Sequence, residues 1–490
     1  MQGVLRRKHR VASLDGTREI PTCTYQWPDG QGDRAKFLEG GTNSVRWEEA
    51  HGPIYRLWSG MRPEIVLTQP HQVQRVFKDS ANHIKAPANN SGCYMDKLLG
   101  SCLGLISGKS WRALRDVVEP PFGHKAMGSL TREIERQVGE HIRKLSTTGR
   151  PAHGRLHPTE DLKMLPFWIL CRAIYGPLPL HLVEQIEAMI PLREAAFRRV
   201  ISGGIHRFCF FRFVSTHARD QLVRLQKDWR AFNQSALEYA RIHAEKAPII
   251  AMWDAVAEGK VSEVQVLQTL DEMLFANLDV TIGGLSWNFV FLAASPADQS
   301  RLRAEILSVN KEGCLEQYVQ SSHSHLGRCV LESSRLRPLA AFSVPQSSRS
   351  TVVLDGFVIP EGTDFIVDTH ALNIRGKLWS PDNLEFRPER FSQLKPTDLR
   401  YAFWRFGFGP RQCLGRHIAD LIIRHTVVQI VQRFELAILD DKAWERDKAM
   451  WISCPDFELS CRGLDAGDSE ERDDPLAICD PHRAVCPGQV

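Results

Sequence analysis

The residues best suited to chemistry lie in one ten-residue run, Phe406-Gly407-Phe408-Gly409-Pro410-Arg411-Gln412-Cys413-Leu414-Gly415. It is a glycine-rich loop that carries a single cysteine to the mouth of a helix. Unpaired backbone N–H groups at a helix start can hydrogen-bond a sulfur anion. The same helix end stabilises negative charge by roughly 0.3–1 kcal/mol when exposed, and by more when partly buried. Gly407, Gly409 and Gly415 let the backbone turn sharply and approach a flat ligand. A thiolate held this way is a strong axial ligand for iron. A free cysteine is usually buried and inert, but Phe406, Gly409, Arg411, Cys413 and Gly415 together in so short a run argue against that fate here.

Three further groups could support such a centre. Glu332 and Arg335 form an E-x-x-R pair one helical turn apart; alone, such a pair is an ordinary surface ion pair worth a few tenths of a kcal/mol. Trp111 and Arg115 share a helical face at i,i+4, where a planar guanidinium suits a carboxylate. Asp279 is an acid in a nearly apolar stretch, Ala276-Asn277-Leu278-Asp279-Val280-Thr281. Acids in such settings are functional candidates, although a satisfied core carboxylate is the alternative.

The elements that must position these groups are mostly helical. Apolar periodicity predicts helices through much of 109–250, over 326–337 and over about 418–434. The longest spans 262–294, opened by an S-x-x-Q capping box of Ser262 and Gln265 with Glu263 in the first turn, and stopped by Pro296. As one helix it would be roughly 50 Å long and would run through the core. A hairpin is predicted over 54–69, and short strands within 350–369 with turns at Asp355-Gly356 and Pro360-Glu361-Gly362. No βαβ alternation or internal repeat is present. The fold class is therefore mainly α, with small sheets.

Of the 490 residues, 43% are hydrophobic and 24% are charged, with a formal charge of +4. These values exclude disorder as the main state and a dedicated nucleic-acid binder. Twelve thinly spread cysteines with no C-x-x-C pair read as free thiols in a reducing compartment. No run of 18 uncharged apolar residues exists, so neither a transmembrane helix of standard length nor a secretory signal is expected. Residues 463–490, with seven acids against two arginines, read as a disordered tail. The expected organisation is an N-terminal segment over 1–50 without a membrane anchor, a main domain over 51–462, and that tail.

The loop F-x-x-G-x-R-x-C-x-G resembles the haem-thiolate loop of the cytochrome P450 family, and the resemblance covers about residues 50–462. It implies the P450 fold, haem b bound through Cys413, and propionates held by Trp111, Arg115 and Arg411. Phe406, Gly407 and Gly415 would complete the haem pocket. Glu332, Arg335 and Arg390, the last within Phe386-Arg387-Pro388-Glu389-Arg390-Phe391, would form a buried structural triad. Asn373-Ile374-Arg375 stands where many family members have His-Arg-Asp, a change expected to alter a surface or propionate-side contact. The central helix departs from the family's (A/G)-G-x-(D/E)-T-(T/S): the acid is in place as Asp279, the Gly is Asn277, and the Thr is Val280 with Thr281 one residue later. One residue is about 100° of rotation. Three readings stay open: proton delivery by Asp279 and water; a hydroxyl or amide supplied by the substrate; or coupling, desaturation or C–S chemistry in place of hydroxylation. Asp279, Thr281 and Asn277 are the candidate catalytic residues.

Stretches such as HGPIYRLWSGMRPEIVLTQP and DTHALNIRGKLW are similar to fungal secondary-metabolism P450s that tailor diketopiperazine and epipolythiodioxopiperazine peptides. The resemblance implies a monooxygenase acting on a small apolar molecule, with Leu339, Ala340, Ala341, Phe342 and the 90–106 loop lining the pocket. It further implies O2, electrons from an NADPH-cytochrome P450 reductase docking near Arg411 and Arg416, and a location on the cytoplasmic side of the endoplasmic reticulum, with no anchor helix and membrane association left open. The alternatives are a P450-fold isomerase or dehydratase that needs no reductase, and a decayed haem-binding paralogue.

Overall fold

The computed structural model describes residues 1–439, 444, 446–448 and 450–464. The expected acidic tail falls almost wholly on 465–490 and lies outside them. The first fifty residues are built into the body of the protein. They include helix α1 (Gly40–His51), preceded by a π-helical turn over Arg34–Leu38. Buried Lys36 reaches Glu64 at 3.1 Å and Asp33 at 3.5 Å, which ties this segment to the first sheet.

The predicted hairpin forms as β1 (Ile54–Ser59) and β2 (Arg62–Leu67), paired from Ile54–Leu67 to Ser59–Arg62. With β3 (Ile84–Lys85), β4 (Gln346–Ser347) and β5 (Asp364–Val367) they make a five-stranded sheet in the order β1-β2-β5-β4-β3, parallel only between β2 and β5. The helical body includes α2 (Cys93–Leu99), α3 (Gly108–Val118), α4 (Met127–Thr148), α5 (Leu180–Ser202) and α6 (Thr216–His243). The 90–106 segment, expected as a loop, thus contains a helix. Another expectation is corrected beside it. Cys93 and Cys209 are joined by a disulfide with Cα atoms 5.2 Å apart, so not every cysteine is a free thiol.

The long central helix is not continuous. It forms α7 (Glu263–Phe275), a 3₁₀ turn over Ala276–Leu278, and α8 (Val280–Ala294). Its start is as predicted: Ser262 Oγ accepts from the Gln265 N–H, and Gln265 Oε1 accepts from the Ser262 N–H at 2.8 Å. The Asn277 side chain donates to the Met273 carbonyl, and a side chain that bonds the ladder in this way is a known source of helix distortion. Beyond the break, α8 buries Leu285, Trp287, Phe289 and Phe291 and packs on the following helices. These include α9 (Pro296–Lys311), α10 (His325–Leu336) and α11 (Arg416–Val431). Among the described residues no single helix is long and apolar enough to cross a membrane.

Candidate active site

The cysteine loop is held from behind by a buried charge cluster. Arg335 Nε and Nη2 each donate to a Glu332 carboxylate oxygen at 2.8 Å, and Arg390 Nε donates to Glu332 Oε1 at 2.8 Å. The Arg387 N–H adds a third donor to that oxygen, at 3.0 Å. Glu332 and Arg335 have no exposed surface, so their charges persist only because they are paired and hydrogen-bonded. Arg335 also reaches the carbonyls of Asn373, Asn383 and Glu385.

Asn373 extends this cluster to the loop. Its amide donates to the Trp404 carbonyl, and its Oδ1 accepts from the Trp404 N–H, both at 2.8 Å. The residue is fully buried. The expectation of a surface or propionate-side role for Asn373 is therefore corrected: a side-chain amide can satisfy both backbone groups of Trp404 at once, and the contact is internal. Arg375, two residues on, bonds Glu48 at 2.6 Å and Ser44 Oγ at 3.0 Å, linking this turn to α1.

From Trp404 the chain enters the loop. The Cys413 N–H donates to the Phe406 carbonyl at 2.9 Å, and the Gln412 N–H to the Gly409 carbonyl at 3.0 Å. Gly407 and Gly409 adopt φ of 78° and 69°, where side chains are rarely tolerated. A Cβ on Gly409 would also meet Ser80 Oγ at 2.3 Å. Gly415 differs from the expectation of a special turn. Its φ is −80°, and its contribution is closeness, since a Cβ there would lie 3.9 Å from Cys413 Sγ.

The Cys413 side chain opens into an internal cavity of about 560 Å³. Its side chain is accessible within that cavity. Burial pushes its thiol up; the Gly415 N–H pulls the other way, Glu272 adds to the rise, and Arg115 and Arg416 oppose it. Burial is the largest of these effects.

Cations gather at one edge of the same cavity. The Arg411 guanidinium stacks 4.6 Å over the Trp111 ring and donates to the Ile106 carbonyl at 2.6 Å. Arg115 is clamped by Glu119 at 2.6 and 2.8 Å and reaches the Gln412 carbonyl at 3.4 Å. Lys85, which the sequence reading missed, lines the cavity too. Burial, then Arg411, lowers Lys85 to about 7; burial, then Arg115, lowers Arg411 to about 10. Among the described residues no carboxylate lies within ion-pair distance of either. Two cavity-lining cations without an ion-paired carboxylate, with Glu272 acting on both from farther off, fit a ligand that brings its own carboxylates. A flat dicarboxylate macrocycle with an iron for the sulfur matches this donor set. Arg411 turns inward, so the expectation that it faces a docking partner is corrected, and of the two arginines named for docking only Arg416 remains.

The break in the central helix lies on the same cavity. Asp279, Asn277, Val280 and Thr281 all line it. Thr281 Oγ1 donates to Asn277 Oδ1. Asp279 is raised by burial, against a hydrogen bond from Trp451 Nε1 at 2.7 Å. Leu339, Ala340 and Phe342 line the cavity as expected, whereas Ala341 does not. The chain bends over 339–341, and Ala341 packs against Gly40 instead. Phe37, Phe197 and Trp451 add an aromatic wall, with ring centroids 5.8 and 5.1 Å from Trp451. Phe37 and Trp451 come from weakly patterned segments, and Phe197 from a helix whose pattern does not show which residue meets the cavity.

A family model for cytochrome P450 matches residues 39–456. The chain belongs to the cytochrome P450 family. It is 46% identical over 465 residues to the cytochrome P450 monooxygenase aclC of Aspergillus oryzae, covering 94% of this chain and 95% of that one. It is 35% identical over 471 residues to the cytochrome P450 monooxygenase gliC of Aspergillus fumigatus, covering 93% and 91%. The cytochrome P450 monooxygenase verC of Clonostachys rogersoniana is 35% identical over 454 residues, covering 90% and 88%. This P450 is thus a monooxygenase of the fungal secondary-metabolism branch, with the mainly α fold expected of it. Membership implies haem iron with a cysteine thiolate ligand.

Proposed function

We propose that this P450 binds haem b through Cys413 and oxidises a small, largely apolar secondary metabolite of the diketopiperazine type. O2 is the oxidant, and an NADPH-cytochrome P450 reductase supplies the electrons. The observation that carries the reading is the shared cavity. It joins the Cys413 sulfur, the cations Arg115, Arg411 and Lys85, and the acid Asp279. Haem bound there supplies dioxygen activation and oxygen-atom transfer. The residues of the chain do the rest. Arg411, Trp111, Arg115 and Lys85 hold the propionates, while Phe406, Gly407 and Gly415 let the loop lie against the macrocycle. Glu332, Arg335 and Arg390 keep the loop rigid from behind.

On the substrate side, burial keeps the Asp279 carboxyl less acidic, and Trp451 Nε1 donates to its Oδ2. Thr281 and Asn277 pass or steady a proton as one hydrogen-bonded unit. Phe37, Phe197, Trp451, Ala340 and Phe342 offer an apolar, aromatic wall with Asp279 as a polar contact. Such a wall suits a rigid ring that carries two amides and apolar side chains. The domain reading keeps 51–462 as the haem unit behind the segment 1–50, placed on the cytoplasmic side of the endoplasmic reticulum. Incubation of the haem-loaded protein with its reductase, NADPH, O2 and a panel of cyclic dipeptides tests the reading. Gain of one oxygen, loss of two hydrogens or a coupled product, dependent on NADPH and O2, is expected. Turnover without NADPH would instead favour an isomerase or dehydratase, and NADPH use with no product from any panel member a non-catalytic haem protein.

A further inference from the structure

Away from the haem cavity, α9 and α10 bring three metal-type side chains together. His325 and Cys329 lie one turn apart on α10 and are both buried, and Asp298 comes from the first turn of α9. His325 Nε2 is 3.2 Å from Asp298 Oδ1 and 3.5 Å from Cys329 Sγ. All three potential ligand atoms lie within 4.8 Å of one another. Around a tetrahedral zinc, with bonds of about 2.0–2.2 Å to N and O and about 2.3 Å to S, neighbouring ligand atoms stand roughly 3.4–3.6 Å apart. The spacings to the histidine match that cage to within a few tenths of an ångström.

We infer that Asp298, His325 and Cys329 form a zinc site that clips α9 to the first turns of α10, with the fourth position left to water. Each ligand is already oriented for it. Asp298 uses its other oxygen, Oδ2, to accept from Ser295 Oγ at 2.6 Å, which leaves Oδ1 directed at the histidine. His325 Nδ1 faces Glu389 at 3.6 Å and lacks a hydrogen-bond partner among the described residues. A carboxylate behind the non-ligating nitrogen is the usual outer partner of a zinc-bound imidazole. The other charges nearby are engaged elsewhere. Glu389 meets Arg301 at 2.5 Å and Arg328 at 3.7 Å, and Glu305 accepts from the Tyr318 hydroxyl and the His325 N–H. Burial and these carboxylates hold the Cys329 thiol protonated without a metal. Binding therefore releases the thiol proton to solvent as the Zn–S bond replaces one zinc–water bond.

The test uses full-length, haem-loaded protein, stripped of loose metal by a mild chelator, dialysed with zinc chloride and desalted. Zinc content by mass spectrometry and zinc-edge X-ray absorption, which does not sense the haem iron, are the readouts. About one zinc per chain is expected, with one sulfur at about 2.3 Å and nitrogen or oxygen neighbours at about 2.0–2.2 Å. Cys329→Ser and Asp298→Asn should weaken zinc retention by about 10-fold or more, whereas Cys314→Ala should leave it unchanged. A chain that retains no zinc, zinc without a sulfur neighbour, or zinc lost with Cys314→Ala overturns the proposal. If the ligand variants fail to fold, the absorption spectrum of the unaltered protein decides alone.

Discussion

Trp451 Nε1 donates to Asp279 Oδ2 at 2.7 Å, although 172 residues separate the two in sequence. Burial raises Asp279, and this indole bond, the largest opposing effect, lowers it. Removing the indole donor with Trp451→Phe should leave burial unopposed by it. The group's pKa then rises further, and the pH at which turnover titrates with Asp279 moves upward. Asp279→Asn should cut turnover by about 100-fold or more, with the haem spectrum unchanged. Steady-state rates across pH for the two variants check this.

Thr281 and Asn277 are joined side chain to side chain, while Asn277 also bonds the Met273 carbonyl. Residues that act as one unit give non-additive losses. Thr281→Val and Asn277→Ala should each divert NADPH-derived electrons to hydrogen peroxide, and the double variant should be little worse than either alone. The ratio of product formed to NADPH consumed is the measurement.

Glu332 receives Arg335, Arg390 and the Arg387 N–H inside the protein. Glu332→Gln or Arg390→Leu strands a buried charge and should cost about 3–5 kcal/mol. Asn373→Ala leaves both backbone groups of Trp404 without their partner and should cost about 1–3 kcal/mol for each buried group stranded. Denaturant midpoints of the haem-loaded variants report both.

His425 on α11 is buried, and neither ring nitrogen has a hydrogen-bond partner among the described residues. Burial lowers it to about 4 from an ordinary value of 6.5. The unfolded chain therefore binds the proton first. The stability of the neutral form is fully present above pH 6.5 and is lost as pH falls toward 4, by roughly 3 kcal/mol. Asp364 and Asp368, raised by burial to about 6, act in the opposite sense over part of this range. The contribution is isolated by comparing the stabilities of the unaltered protein and His425→Leu from pH 7 to pH 4, over which the unaltered protein should lose roughly 3 kcal/mol relative to the variant.

Much of the site was legible where residue identity alone sets the chemistry. Cys413, Arg335 and Trp111 sit in short motifs whose spacing follows helix geometry or a tight loop, and local geometry survives folding. What could not be read depends on contacts between distant segments. Lys85 and Trp451 enter the cavity from weakly patterned stretches, and the Cys93–Cys209 bridge joins residues 116 apart in sequence. The central helix was read as unbroken because its apolar pattern is continuous. At the break the Asn277 side chain bonds the Met273 carbonyl, a contact the apolar pattern does not encode. Ala341 differs from its expected place because a run of four apolar residues does not reveal how the chain bends after Pro338.

The account rests on a sulfur–iron bond at Cys413, and carbon monoxide binding to the reduced, haem-loaded protein tests it most directly. A thiolate-bound haem should give the strongly red-shifted Soret band of such coordination, and Cys413→Ala should abolish it while leaving the fold intact by far-ultraviolet circular dichroism. A red-shifted band that persists in Cys413→Ala, or a band at the position of histidine-ligated haem in the unaltered protein, would contradict it.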